Sequence, residues 1–234
     1  DVYKRQTPSG GSPPTAWATT HRWMNVCTDG WKPWRLRARM AAKEEYAMSD
    51  FEHVFEKPPE GAAADWTIPQ NWAAYTEVEH QTWDTLYARQ MKILPGRACD
   101  AFMRGLDALD LNAGGIPDFD VINPKLQALT GWTVVCVPGL VPDEVFFDHL
   151  ANRRFVSGQF IRKPDQLDYL QEPDIFHDVF GHVPMLTDPD FAAYMEAYGK
   201  GGQRAAGLGM LQNLARLYWY TVEFGLMKEA DGLR

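Results

Sequence analysis

The chain has 234 residues, 45% of them apolar, and a formal net charge of −8. That length suits one domain, or one domain with a tail, and is ample for a sizeable core. An acidic chain without a basic stripe argues against nucleic acid and against an anionic membrane surface as partners. No apolar run reaches the ~18–20 residues of a membrane span, and the first ten residues lack the hydrophobic segment of a secretory leader. Cys27, Cys99 and Cys136 are odd in number and widely spaced, which is neither a disulfide framework nor a zinc ligand set. A reducing cytoplasm is the expected setting.

Residues 1–47 differ from the rest. The start has Pro, Gly, Ser and Thr without periodicity, and Lys32, Arg35, Arg37, Arg39 and Lys43 follow. This stretch reads as a disordered or non-native extension ahead of Met48, with a basic arm for a partner as the alternative. From Asp65 the sequence becomes a packed domain. Residues 75–93 read as a helix capped by Thr76, with Glu79 completing a capping box and Val78, Trp83, Leu86, Tyr87 and Met91 forming an apolar face. Residues 97–110 read as a second helix with Phe102, Leu106 and Leu109 inward. Asn123-Pro124 is expected to open a short helix that stops at Gly131. The β-branched run 132–137 reads as a strand, Pro142 as the opening of a helix through Leu150, and 154–161 as a second strand. The remainder is expected to be helical over 173–184, 189–199 and from about Leu208 to Met227. The architecture is therefore mainly α with a few short strands (α+β), without an alternating βαβ series.

Chemistry concentrates in the run Glu172-Pro173-Asp174-Ile175-Phe176-His177-Asp178-Val179-Phe180-Gly181-His182-Val183-Pro184. Its two histidines are five residues apart, not the four of a zincin helix. On an ideal α-helix that spacing leaves the rings roughly 140° apart. They converge only if the helix is distorted or ending, for which Gly181 and Pro184 supply the means. A structural histidine pair remains the bland alternative. A second feature favours a metal. Glu223 stands among Tyr218, Trp219, Tyr220, Val222, Phe224 and Leu226, where a carboxylate is costly unless paired or metal-bound. Arg216, seven residues earlier, is the competing partner. Two histidines and one isolated carboxylate compose the facial triad of non-haem Fe(II) oxygenases, with coordination positions left open for dioxygen.

At these residues the sequence resembles the pterin-dependent aromatic amino-acid hydroxylases, particularly bacterial phenylalanine hydroxylases. The runs EPDIFHDVFGHVPML and LYWYTVEFGL, with 41 residues from His182 to Glu223, are similar to the family's signatures. The likeness is nearly continuous from about Asp65 to Met227. It implies the family's catalytic-domain fold over 48–234, incomplete at the C-terminus. It implies Fe(II) on His177, His182 and Glu223, with Tyr218 close by. It implies a tetrahydropterin (tetrahydrobiopterin or related) cradled by Gly139, Leu140, Phe146 and Asp178, with Phe146 as the stacking ring. Arg162 matches the arginine that pairs with the amino acid's carboxylate, and Tyr169, Pro173, Trp219 and Phe224 would line the aromatic pocket. L-Phenylalanine and O2 are the implied substrates, and a monomer is expected.

By themselves, Arg162 reads as a surface charge beside Lys163, and Phe146, Trp219 and Phe224 as core. Leu170-Gln171 stands where relatives carry Thr-Pro, which puts that wall of the amino-acid pocket in doubt. Tyrosine or tryptophan hydroxylation, a zinc hydrolase and a catalytically silent metal-binding fragment are the alternatives.

Overall fold

Thr76 opens the first helix as the sequence predicts. The computed structural model describes residues 57–170 and 172–234, and the extension expected over 1–47 lies outside them. Helix α1 spans Glu77–Gln90. The Thr76 hydroxyl accepts the Glu79 backbone N–H at 3.3 Å, and the Glu79 carboxylate accepts the Thr76 N–H at 2.7 Å. Donors that would otherwise lack partners at the helix start are thereby satisfied. Trp83 and Leu86 are buried, with Tyr87 and Met91 packed beside them. Val78 departs from the expected face and is 55% exposed. It is five residues from Trp83, about 140° round the helix, and so points away from the core.

Helix α2 is Asp100–Ala108, with Leu106 buried within it, Leu109 buried just beyond it and Phe102 half-buried. Helix α3, Phe119–Thr130, begins earlier than the Asn123-Pro124 start expected. Asp118 is the true cap, its carboxylate accepting the Asp120 N–H at 2.9 Å. Starting there puts Phe119, Ile122 and Leu126 on one buried face. Asn123 instead clamps the next strand. Its side chain donates to the Val134 carbonyl at 2.9 Å and accepts the Val134 N–H at 2.7 Å. Gly131, at φ 77°, ends the helix in the left-handed geometry that glycine adopts freely.

Strand β1 (Thr133–Val137), helix α4 (Asp143–Ala151) and strand β2 (Arg154–Gly158) form a single parallel crossover, in register from Thr133 against Arg154 to Val137 against Gly158. The second strand stops at Gly158, short of the expected Ile161, and the Gly158 N–H donates to the Asp178 carboxylate at 2.9 Å. Helix α5 runs Pro189–Gly207, longer than expected, from an Asp188 cap that accepts the Asp190 and Phe191 N–H groups. It crosses α4 at close range. A Cβ on Gly199 would lie 2.2 Å from the Ala151 nitrogen, and one on Gly202 would lie 2.1 Å from the Phe147 ring.

Helix α6 is Leu211–Tyr218. The long helix expected over Leu208–Met227 is therefore interrupted at Gly209, whose φ is 66°, and again after Tyr218. A short antiparallel pair, β3 (Lys228–Glu229) and β4 (Gly232–Leu233), follows. Among the described residues no helix is long and apolar enough to cross a membrane.

The α4–α5 crossing holds Phe147 against one helix and its neighbour Phe146 toward the functional cavity. Gly202→Ala should lower stability by ~1–3 kcal/mol, because the added methyl overpacks the Phe147 ring. Gly207→Ala, with nothing within 4 Å of its Cβ, should be neutral or stabilising by up to ~1 kcal/mol. Thermal denaturation of the two variants checks the contrast, and equal effects would refute the close packing.

Candidate metal centre

Two π-helical turns build the site. In a π-turn the hydrogen bonds run i→i+5, so residues five apart come round to the same side. Phe176–Phe180 forms the first such turn, and a 3-10 turn, Val183–Thr187, follows it. This distortion resolves the spacing problem posed by His177 and His182, whose rings lie 4.9 Å apart at 70°. Aromatic packing fixes the turn. Phe176 and Phe180 stack at 4.7 Å, Trp83 of α1 meets Phe176 edge-on at 5.0 Å, and Tyr87 meets Phe180 at 5.5 Å. On the far side α2 presses its Gly105 backbone against Pro184, leaving no room for a Cβ.

The second π-turn is Trp219–Glu223, closed by the Phe224 N–H donating to the Trp219 carbonyl at 2.9 Å. It carries Glu223 back beneath Tyr218. The Tyr218 ring is buried, 5.4 Å from Phe146 and 6.1 Å from His182. The Glu223 carboxylate lies 3.7 Å from Nε2 of His177 through one oxygen and 3.7 Å from Nε2 of His182 through the other. The three prospective ligand atoms fall within 4.8 Å of one another.

These residues fit a metal ion. Ligands ~2.1 Å from a common ion and at right angles to one another lie roughly 3 Å apart, and the two carboxylate–imidazole separations of 3.7 Å are within ~1 Å of that. The electrostatics ask for a cation. Burial by itself disfavours the His177 imidazolium, but hydrogen bonds that it donates to the Asp178 and Glu223 carboxylates, with their negative charge, outweigh it and lift the pKa to about 9. The His177 Nδ1 lies 2.8 Å from one Asp178 oxygen, and the other oxygen accepts the Gly158 N–H at 2.9 Å. This arrangement places the ring proton on Nδ1 and turns Nε2 toward Glu223.

Arg162 is not the surface charge that its neighbour Lys163 suggests. It is 2% exposed, and its Nε and Nη2 donate to the two oxygens of Asp174, each at 2.8 Å. Asp174, fully buried, also accepts the Arg162 N–H at 2.9 Å and the His177 N–H at 3.0 Å. Neither side-chain bond uses Nη1 of Arg162.

A cavity of about 620 Å³ opens over these three side chains. Gly139, Leu140, Phe146, Pro173, Asp178, Tyr218 and Trp219 line it together with His177, His182 and Glu223. Arg162, Tyr169 and Phe224 do not, and the last two are 39% and 52% exposed. Arg216, weighed above as the partner of Glu223, lines the cavity wall instead, beside Gln212. Sequence reasoning gave no role to Asp174, Glu172 or Phe155. Asp174 carried a signal, being an acid at a helix start. Glu172 and Phe155 are brought to the cavity by the fold, Phe155 packing on His182 with ring centroids at 5.5 Å.

Two substitutions separate fold from metal. Asp174→Ala leaves a buried guanidinium uncompensated and should cost ~3–5 kcal/mol of stability. Asp178→Ala should leave the fold intact but weaken metal affinity ~10–100-fold by freeing the His177 ring. Thermal denaturation and metal titration read the two effects. Full affinity in Asp178→Ala would refute its orienting part.

The pattern of the family described as "Biopterin-dependent aromatic amino acid hydroxylase" matches residues 64–234. The chain is 75% identical over 177 residues to a phenylalanine-4-hydroxylase of Caulobacter vibrioides, covering 76% of this chain and 60% of that one. It is 61% identical over 172 residues to the phenylalanine-4-hydroxylase of Chromobacterium violaceum, covering 74% and 58%. The chain thus spans about 60% of the length of these curated relatives. A crystal structure of the Chromobacterium violaceum enzyme with bound iron(III) and 7,8-dihydrobiopterin superposes with a TM-score of 0.72 at 55% identity, over 81% of this chain and 68% of that one. Another, with iron and phenylalanine bound, gives 0.70 at 52% identity, over 81% and 67%. The chain belongs to the biopterin-dependent aromatic amino acid hydroxylases.

Proposed function

We propose that this chain carries the catalytic centre of a phenylalanine 4-monooxygenase, which converts L-phenylalanine to L-tyrosine with O2, Fe(II) and a tetrahydropterin. The observation that carries this is the convergence of His177, His182 and Glu223 within 4.8 Å at the floor of an aromatic-walled cavity. Dioxygen takes four electrons and hydroxylation of an arene provides two, so the pterin and the iron, when bound, supply the other two and the activation of O2.

The chain's own residues do the holding and orienting. His177, His182 and Glu223 would hold the ion, and all three side chains border the cavity. Asp178 keeps the proton on Nδ1 of His177, so that Nε2 remains a ligand. Phe146 offers a flat face on which a pterin ring stacks, beside the backbone of Gly139 and Leu140. Pro173 and Trp219 form an apolar wall for the amino acid's ring, near Tyr218. Arg162, held by Asp174 and outside the cavity wall, would pair with the amino acid's carboxylate through Nη1 only by moving toward the cavity. Tyr169 and Phe224 stand outside the cavity wall and would reach the substrate only by moving. Buried side chains around the ligands keep water from the reacting ring. Dioxygen as co-substrate, a monomeric state and a cytoplasmic setting belong to the same proposal. Cys99 and Cys136 are buried free thiols, and burial pushes Cys136 up to about 12.

The test is a product assay with Fe(II), tetrahydropterin, O2 and each aromatic amino acid in turn. Tyrosine formed from phenylalanine, close to one per pterin oxidised, is expected, and His182→Ala or Glu223→Ala should abolish it. Preferential turnover of tyrosine or tryptophan would reassign the substrate. Iron bound without any product would make the chain a silent metal-binding fragment. Absence of iron binding would overturn the triad.

A further inference from the structure

The three prospective ligands are not held alike. His177 and His182 stand in the core, where Phe176, Val179, Phe180 and Val183 beside them are buried. Glu223 rides on an element with little burial of its own. Among the described residues of α6 and the π-turn after it, Tyr218 alone is buried, and Leu217 and Tyr220 are exposed. The place of the carboxylate, 3.7 Å from each imidazole, is therefore set from outside that element.

Helix α5 does the setting. It is seated on α4 without slack, because its Gly199 and Gly202 pack directly against Ala151 and Phe147. Tyr198, beside Gly199, is buried. Its hydroxyl donates to the Leu214 carbonyl of α6, and the Tyr218 backbone N–H faces the same hydroxyl. A carbonyl and an N–H four residues apart are the pair that an α-helical bond joins. The hydroxyl thus sits at the last turn of α6, where the α-helix passes into the π-turn Trp219–Glu223. Burial pushes the Tyr198 pKa up, so the hydroxyl stays a protonated donor. The ring adds a second hold. It meets Phe147 at 5.2 Å and Tyr218 at 5.9 Å, and the Tyr218 ring in turn lies 6.1 Å from His182. One turn earlier on α5, the Tyr194 hydroxyl lies 2.8 Å from that of Thr221, inside the π-turn. Glu223 is one π-turn beyond Tyr218, so a slip of α6 at Tyr218 is passed on to the carboxylate. A slip of ~1 Å is enough to take it out of reach of one imidazole.

Resting on the metal reading above, we propose that Tyr198 is a positioning residue of the metal centre, whose hydroxyl and ring fix the point where α6 becomes the π-turn and so set the reach of Glu223 to His177 and His182. It does not border the cavity. It acts through Glu223.

The test titrates the chain with Co(II), whose visible absorption reports ligand number and geometry without turnover. Tyr198→Phe removes the hydroxyl and keeps the ring. Thr82→Val is the control, since it deletes a buried hydroxyl that donates to the Val78 carbonyl on α1 at 2.8 Å. Tyr198→Phe should bind Co(II) roughly tenfold more weakly, the low end of what loss of an outer-shell partner costs, and with an altered absorption band. Thr82→Val should match the wild type in both. Circular dichroism confirms folding, and Tyr198→Met, which fills the space without a donor, replaces Tyr198→Phe should that variant not fold. Wild-type affinity and spectrum in the Tyr198 variant, or equal weakening in the control, would overturn the positioning role while leaving the metal reading in place. Absence of Co(II) binding by the wild type would overturn the metal reading and the role of Tyr198 with it.

Discussion

Asp174 is the residue on which the rest of the site hangs. Its carboxylate has no exposure and accepts four hydrogen bonds, three from Arg162 and one from the His177 backbone. Taking a carboxylate and a guanidinium out of water costs several kcal/mol for each ion, and only complete hydrogen bonding offsets it. Such a pair therefore contributes less to net stability than to uniqueness of position. The segment after β2 that bears Arg162 and the start of the turn that bears His177 have one relative placement that satisfies all four bonds. His177, its hydrogen-bonded neighbour Asp178 and the Gly158 backbone inherit that placement.

The same economy explains the π-turns. A π-turn is rare in regular helices and persists where surrounding structure holds it. Here the holding is visible. Phe176 and Phe180 are stacked within the core against Trp83 and Tyr87, and Pro184 lies under the Gly105 backbone with no room for a Cβ between. Wrapping the chain five residues per return, at Phe176–Phe180 and again at Trp219–Glu223, turns two short sequence spacings into convergence on one point. An unstrained α-helix would have spread the two histidines around its circumference.

How much of this the sequence shows depends on the range of the interaction. The Thr76–Glu79 box is local and reads correctly. So do the strand at 133–137 and the helix opened by Pro142, since their signals lie within a few residues. The start of α3 does not, because Asp118 and Asn123 are both good caps, and Asn123 is claimed by Val134 across the fold. The convergence of the two histidines is legible as a possibility, through Gly181 and Pro184, but its form depends on α1 and α2 packing from elsewhere. Arg162 is illegible alone. A basic residue beside Lys163 looks like surface until Asp174, twelve residues on, is known to face it. The assignments that came from family likeness divide in the same way. Phe146, Pro173 and Trp219 meet at the cavity, whereas Tyr169 and Phe224 do not reach its wall.

Charge balance at the floor ties these observations to chemistry. Asp174 and Arg162 cancel each other internally and add no net field. Among Glu223, the two histidines that face it and Asp178, that leaves two carboxylates against two imidazoles that would be neutral as metal ligands. The sum is −2, and a dication brings it to zero. The lift of His177 to about 9 is the proton's answer to the same deficit, and one proton supplies only half of it.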